Sequence, residues 1–205
     1  IYASGAYKHG GMIDISMTTN HGNVNTGNLV SSGDVNAAAA AAGNITLDAN
    51  GILTVHATKA QGQGAGTGGV VNLTGSAVNI AGSVVTSSTG AAGGMIDVNG
   101  PAVLVGGDHV LATGLGAGDI DFSSTLNSDG TPRSLSITAG SGDILFNGVV
   151  GVDSTLGVLN IVSAKDVTIS DTLAAASLTQ LDGTGTSTLQ GIVTLSSELD
   201  FSGNN

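Results

Sequence analysis

Gly94-Met-Ile-Asp-Val, Gly118-Asp-Ile-Asp-Phe and Gly142-Asp-Ile-Leu-Phe decide the fold: three pentapeptides of one pattern, starting at a constant step along the chain. Reading outward in both directions, the pattern recurs. Gly11-Met-Ile-Asp-Ile, Gly43-Asn-Ile-Thr-Leu and Gly69-Val-Val-Asn-Leu precede it, and Lys165-Asp-Val-Thr-Ile and Gly191-Ile-Val-Thr-Leu follow. The first interval, from Gly11 to Gly43, is the longest, and it contains the alanine run. The others settle at about 24 residues, and a fixed period in this range marks a chain built from stacked, similar units.

Within each unit the alternation is strict. The third position reads Ile13, Ile45, Val71, Ile96, Ile120, Ile144, Val167, Val193, and the fifth reads Ile15, Leu47, Leu73, Val98, Phe122, Phe146, Ile169, Leu195. Between them stand Asp14, Thr46, Asn72, Asp97, Asp121, Leu145, Thr168 and Thr194. A period of two means a strand with its third and fifth residues on one face and its fourth on the other. Each unit holds further short strands, such as Ala77-Val-Asn-Ile, Ala102-Val-Leu-Val, Ser134-Leu-Ser-Ile and Val158-Leu-Asn-Ile. Turn signals separate them: Asn50-Gly51, Asn99-Gly100, Asp129-Gly130, Asn147-Gly148 and Asp182-Gly183, where glycine supplies the backbone freedom of tight corners.

Two or three strands per repeat, with inward side chains in register, describe one coil of a parallel β-helix. Equivalent residues of successive coils then stack about 4.8 Å apart, and eight coils make a rod on the order of 40 Å long. The two apolar columns become continuous ladders inside a narrow tube. A β-sandwich of short strands has no reason to repeat one strand motif at this spacing. The expected organisation is a single β-helix segment over residues 1–205, with 22–43 as an irregular insertion or atypical coil containing the alanine run.

Composition agrees and excludes much else. Gly accounts for 34 of 205 residues, and there are 4 Lys+Arg against 15 Asp+Glu, a formal net charge of −11. Four basic residues cannot make a nucleic-acid footprint. Charged residues at 9% are too few for a coiled coil, while 40% hydrophobic residues are too many for a disordered chain. No apolar run reaches membrane-spanning length, and five aromatic side chains cannot form the girdles of an outer-membrane barrel, so no membrane insertion is expected. Cysteine is absent. No charged segment leads into an apolar stretch, so no signal peptide is expected within these residues, consistent with a processed chain or a piece of a longer one.

The carboxyl-terminal part carries a resemblance. Gly140-Ser-Gly-Asp-Ile-Leu-Phe-Asn-Gly-Val-Val-Gly leads to Leu156-Gly-Val-Leu-Asn-Ile-Val-Ser-Ala-Lys-Asp-Val-Thr-Ile, then to Gly183-Thr-Gly-Thr-Ser-Thr-Leu-Gln-Gly-Ile-Val-Thr-Leu. Over 116–203 this resembles the β-strand repeats of filamentous-haemagglutinin-like adhesins, giant exported surface proteins of bacteria; before 116 the likeness is one of coil pattern. The resemblance implies a right-handed parallel β-helix, an extracellular or cell-surface location, and a role as adhesin stalk or surface fibre. It implies no catalytic residues. The amino-terminal secretion domain of such proteins is not recognisable here.

Several residues invite chemistry. Asp97 and Asp121 share the outward fourth position and stack in adjacent coils; with Asp119 they are the candidates for calcium, which takes six to eight oxygens. The Gly-Gly-x-Gly-x-Asp nonapeptide that builds calcium ladders is missing, and Gly116-Ala-Gly-Asp-Ile-Asp only echoes it, so solvated surface carboxylates are the preferred reading. Stacked Asp could reach glycosidase separations, but there is no Trp, one Arg (Arg133) and no long insertion to wall a sugar groove. His9, His21, His56 and His109 lack metal spacing and read as scattered surface histidines. Gly62-Gln-Gly-Ala-Gly-Thr-Gly-Gly lacks a Gly-Lys-Ser/Thr ending and reads as a corner. Flat Thr-x-Thr columns for ice binding are absent. The expectation is therefore a non-enzyme without catalytic residues or cofactor. Its partner is its own kind, through self-association or continuation of the chain at the β-helix ends, because Ile1-Tyr-Ala-Ser begins without an amphipathic helix and Glu198-Leu-Asp-Phe still reads as a strand, so neither shows a cap.

Overall fold

The computed structural model describes residues 2–4, 11–16, 22–34 and 36–202. Among these the chain is all-β without a helix, and its parallel strands stack in coils about 24 residues apart, making about 7 turns of a β-solenoid. At the usual strand spacing such a stack spans about 34 Å.

The repeated pentapeptides form one face. This eight-stranded sheet runs Ile13–Ser16, Ile45–Asp48, Val71–Thr74, Ile96–Asn99, Ile120–Phe122, Ile144–Phe146, Val167–Ile169, Ser187–Leu189. Register is kept throughout, as in Val71↔Ile96, Ile96↔Ile120, Ile120↔Ile144 and Ile144↔Val167. The inward residues are essentially inaccessible from Ile45 to Ile169, and Ile15 is partly buried. Removal of each such side chain from water stabilises the fold by roughly 1.5–3 kcal/mol. Phe122 and Phe146, the two largest fully buried side chains, stack with ring centroids 5.0 Å apart and planes 8° from parallel.

The eighth member of the ladder differs from the expected one. Val167 pairs with Ser187 and Ile169 with Leu189, whereas Val193 and Leu195 pair with Leu173 and Ala175 on the second face. The last coil, from Val167 to Ser187, is shorter than those before it, so Gly191-Ile-Val-Thr-Leu arrives one face later than its sequence suggests. A less apolar strand of equal length, Ser187–Leu189, holds its place.

The second face runs Val24–Asn25, Ile52–Val55, Ala77–Ile80, Ala102–Leu104, Leu126–Ser128. It continues through the parallel bridges Leu126↔Val150 and Val150↔Leu173. The third face includes Leu29–Ser32, Thr58–Lys59, Val84–Val85, His109–Ala112 and Leu135–Thr138. In the later coils the strands lengthen to Leu156–Ser163 and Leu173–Gln180. Leu173–Gln180 serves both faces, pairing first with Val193–Leu195 and then with Leu199–Phe201. Its sequence Leu-Ala-Ala-Ala-Ser-Leu-Thr-Gln holds no Gly or Pro to force the corner that Gly106-Gly107 and Asp129-Gly130 make in earlier coils.

Of the segment 22–43, much is ordinary coil: Val24 pairs with Leu53 and Leu29 with Thr58. The excursion is confined to its second half, where Ala39–Ala40 pairs antiparallel with Gln63–Gly64 of the glycine-rich corner. Gly100 (φ 132°) and Gly130 (φ 93°) meet the expectation of a left-handed corner. Gly148 is required by space instead, since a Cβ there would lie 2.7 Å from the Ser124 carbonyl carbon.

Where the third face turns back to the first, buried hydroxyls close the coil. Ser31 Oγ donates to the Gly43 carbonyl at 2.9 Å, Thr113 Oγ1 to the Gly118 carbonyl at 2.7 Å, and Thr86 Oγ1 to the Gly94 carbonyl. Each meets the carbonyl of a glycine that opens the repeated strand, and the Ser31 hydroxyl also lies 2.6 Å from the Gly11 carbonyl.

Candidate functional site

The chemistry-bearing residues concentrate on the outward side of the first face and the corner before it. Strand alternation turns the fourth position outward, and the matched register then puts Asp97 directly beside Asp121. Each carboxylate accepts from an asparagine amide: Asn99 Nδ2 donates to Asp97 Oδ2 at 2.8 Å, and Asn147 Nδ2 to Asp121 Oδ1 at 3.1 Å. Partial burial pushes the Asp121 carboxyl above the usual carboxylate range; the charges of Asp97 and Asp119 push the same way, and the Asn147 amide pulls back.

Asp119 has a different task. Its Oδ1 accepts the Asp143 backbone N–H at 2.8 Å; Asp143 Oδ1 accepts that of Asp166 at 3.2 Å; Asp166 Oδ1 accepts that of Thr186 at 2.7 Å. This corner therefore carries a relay of carboxylates, each holding the start of the next coil. Lys165 is its counter-ion, with Nζ 2.7 Å from Asp166 and 3.4 Å from Asp143. The Lys165 ammonium, followed by the Thr186 amide, holds Asp166 below the usual carboxylate range. A shallow depression of about 370 Å³ lies here, lined by Asp143, Leu145, Asp166, Thr168, Thr186 and Thr188.

Of the three calcium candidates, Asp97 and Asp121 thus lie together and Asp119 stands at the neighbouring corner, bonded to backbone. Among the described residues no group of three or more His, Cys, Asp or Glu could hold a metal ion.

Arg133 lies on the Asp129–Arg133 loop, where its Nε and Nη2 donate to Asp129 at 2.9 and 3.0 Å. This fork, with the Gly106 and Thr131 amides, depresses the Asp129 carboxyl strongly. The only arginine of the chain is therefore engaged in fixing its own loop.

The histidines need one correction. His109 is buried, not on the surface: it opens strand His109–Ala112 at an inward position, and its Nε2–H donates to the Val105 carbonyl at 3.0 Å. His56 is half-buried at a corner, its Nδ1 without a hydrogen-bond partner among the described residues. His9 and His21 lie outside the described residues. The closing hydroxyls of Ser31, Thr86 and Thr113 and the amides of Asn99 and Asn147 were not anticipated. Their signal is positional, a Ser or Thr ending a third-face strand and an Asn two residues after an outward Asp or its equivalent, and it is visible only once coils are aligned.

Comparison with protein-family models, with curated proteins and with solved structures found no match for this chain.

Proposed function

We propose that this chain is a structural and adhesive segment of a bacterial exported surface protein or fibre, working as a rigid stalk outside the cell. The observation that supports this reading is the unbroken parallel ladder of the first face, eight strands in register with one packed core. Its backbone hydrogen bonds run along the solenoid axis, the direction in which a stalk carries load. The strand repeats of 116–203, similar to those of filamentous-haemagglutinin-like adhesins, supply the bacterial and extracellular parts of the proposal. The proposal assigns no catalytic role and no cofactor.

Electron microscopy of the purified chain, with an assay for new reducing ends or unsaturated products on anionic glycans, tests it. Short stiff rods without glycan cleavage support the proposal. Glycan cleavage would move the chain to the polysaccharide-active β-helix enzymes.

A second reading, the subunit of a self-assembling extracellular filament, rests on the last described coil. There Leu199 and Phe201 are 51% and 37% exposed, beside a depression of about 440 Å³ lined by Gly185, Thr186, Ser187, Leu189 and Phe201. Another coil would cover this edge, whether from the same chain or from a second copy. The charge of −11 opposes end-to-end contact between copies, so salt favours it. Sedimentation across ionic strength reads the difference: growth with salt supports the filament, and a monodisperse monomer throughout removes it.

A further inference from the structure

Three Asn-Gly pairs stand at corners: Asn50-Gly51, Asn99-Gly100 and Asn147-Gly148. The pair is chemically labile, because glycine lets its own backbone nitrogen approach the asparagine side-chain carbonyl without steric hindrance. Reaction requires the peptide unit between the two residues to rotate, so a hydrogen bond at either end of that unit resists it. In the first pair Gly51 N–H donates to the Gly22 carbonyl at 2.9 Å. In the second the Asn99 carbonyl accepts from Gly75 N–H at 3.1 Å, and Asn99 is the last residue of a laddered strand. In the third, neither the Asn147 carbonyl nor the Gly148 N–H is hydrogen-bonded to backbone or side chain among the described residues. Asn147 is exposed, lies just past strand Ile144–Phe146, and is held by its own N–H to the Phe122 carbonyl and by its amide to Asp121.

We infer that Asn147 is a site of spontaneous backbone-assisted deamidation in the folded protein, ahead of the other two pairs. The Gly148 nitrogen bonds to Asn147 Cγ while its proton passes to water. The Cγ–Nδ2 bond breaks, and the Nδ2 nitrogen takes a proton from water and leaves as ammonia. Water then opens the resulting succinimide to aspartate or isoaspartate. The product removes the amide that donates to Asp121 and places a new carboxylate against it, extending the acidic row of Asp97 and Asp121 by one coil.

Trypsin separates the sites, since the three pairs fall in 9–59, 60–133 and 134–165. The full chain is incubated at mildly alkaline pH, folded and in denaturant, and digested; mass spectrometry follows the acid form of each peptide, with fragment ions localising it. The expected result is that Asn147 converts several-fold faster than Asn50 and Asn99 in the folded chain, that the ranking collapses in denaturant, and that Asn147→Gln removes the product. Equal or faster conversion at Asn50 or Asn99 in the folded chain would overturn the assignment, as would an unchanged ranking in denaturant.

Discussion

Asp121 lies in register beside Asp97 across adjacent coils, two like charges on one outward column, and the structure tempers them with one asparagine amide each. Asp121 carries the net cost, its carboxyl raised by burial first and by Asp97 second. A carboxylate raised in the fold binds protons more tightly there than in the unfolded chain. Ionised Asp121 therefore penalises the fold, fully above its folded pKa, and the penalty fades as pH falls toward the unfolded value. Asp121→Asn is expected to leave the thermal midpoint at neutral pH equal or higher, with the gap to the parent closing as pH drops through the carboxylate range. A midpoint clearly lower at neutral pH would contradict this account.

The inward columns predict the opposite sensitivity. Ile120→Asp and Ile144→Asp each put a charge into the apolar ladder with no partner, at a cost of roughly several kcal/mol, and are expected to abolish cooperative folding. The milder Ile120→Ala is expected to cost about 2–5 kcal/mol in denaturant unfolding. Equal stability of the two Asp variants and Asp121→Asn would invalidate the inward and outward assignment.

Thr113→Val keeps shape and removes the hydroxyl that closes its coil onto the Gly118 carbonyl. Leaving that half-buried carbonyl short of a donor is expected to cost about 1–3 kcal/mol at most. Denaturant unfolding measures it, and Thr113→Ser, which retains the hydroxyl, is expected to recover part of the loss.

Asp166 has the reverse pH behaviour of Asp121. Its carboxyl is lowered by Lys165 and the Thr186 amide, so its stabilisation is present above the unfolded pKa and is lost as pH falls through the folded one. Asp166→Ala is expected to lower the midpoint at neutral pH and to match the parent in strong acid. Added salt is expected to shrink only the Lys165 share, since the amide contact is not an ion pair.

The sequence makes the first face legible because Ile120, Phe122 and their equivalents alternate with polar residues at a fixed period, and period alone sets burial. It hides which face a strand occupies: Val193 and Leu195 match the pattern yet sit beside Leu173 and Ala175, because a contracted corner shifts the chain by one face. Polar residues inside the tube are equally hidden. His109 and Thr113 are identified as buried only by the carbonyls they meet, those of Val105 and Gly118. The side-by-side placement of Asp97 and Asp121 follows from their equivalent places in successive repeats, whereas the amide on Asp121 comes from Asn147 in the next coil, and no local motif announces it.

The carboxylate relay of Asp119, Asp143 and Asp166 has a direction. Each oxygen faces toward the carboxyl-terminal neighbour and receives an amide that the neighbour must place. A finished coil therefore presents a formed acceptor, which water solvates cheaply until the next strand docks. Assembly in the opposite sense would leave a strand-start amide waiting for a side chain still to be positioned. Nearest-neighbour coupling of this kind gives this one corner a polarity toward the carboxyl end across these coils. A chain folding from its amino end would thus meet, at this corner of each of these coils, an acceptor already set for its next turn.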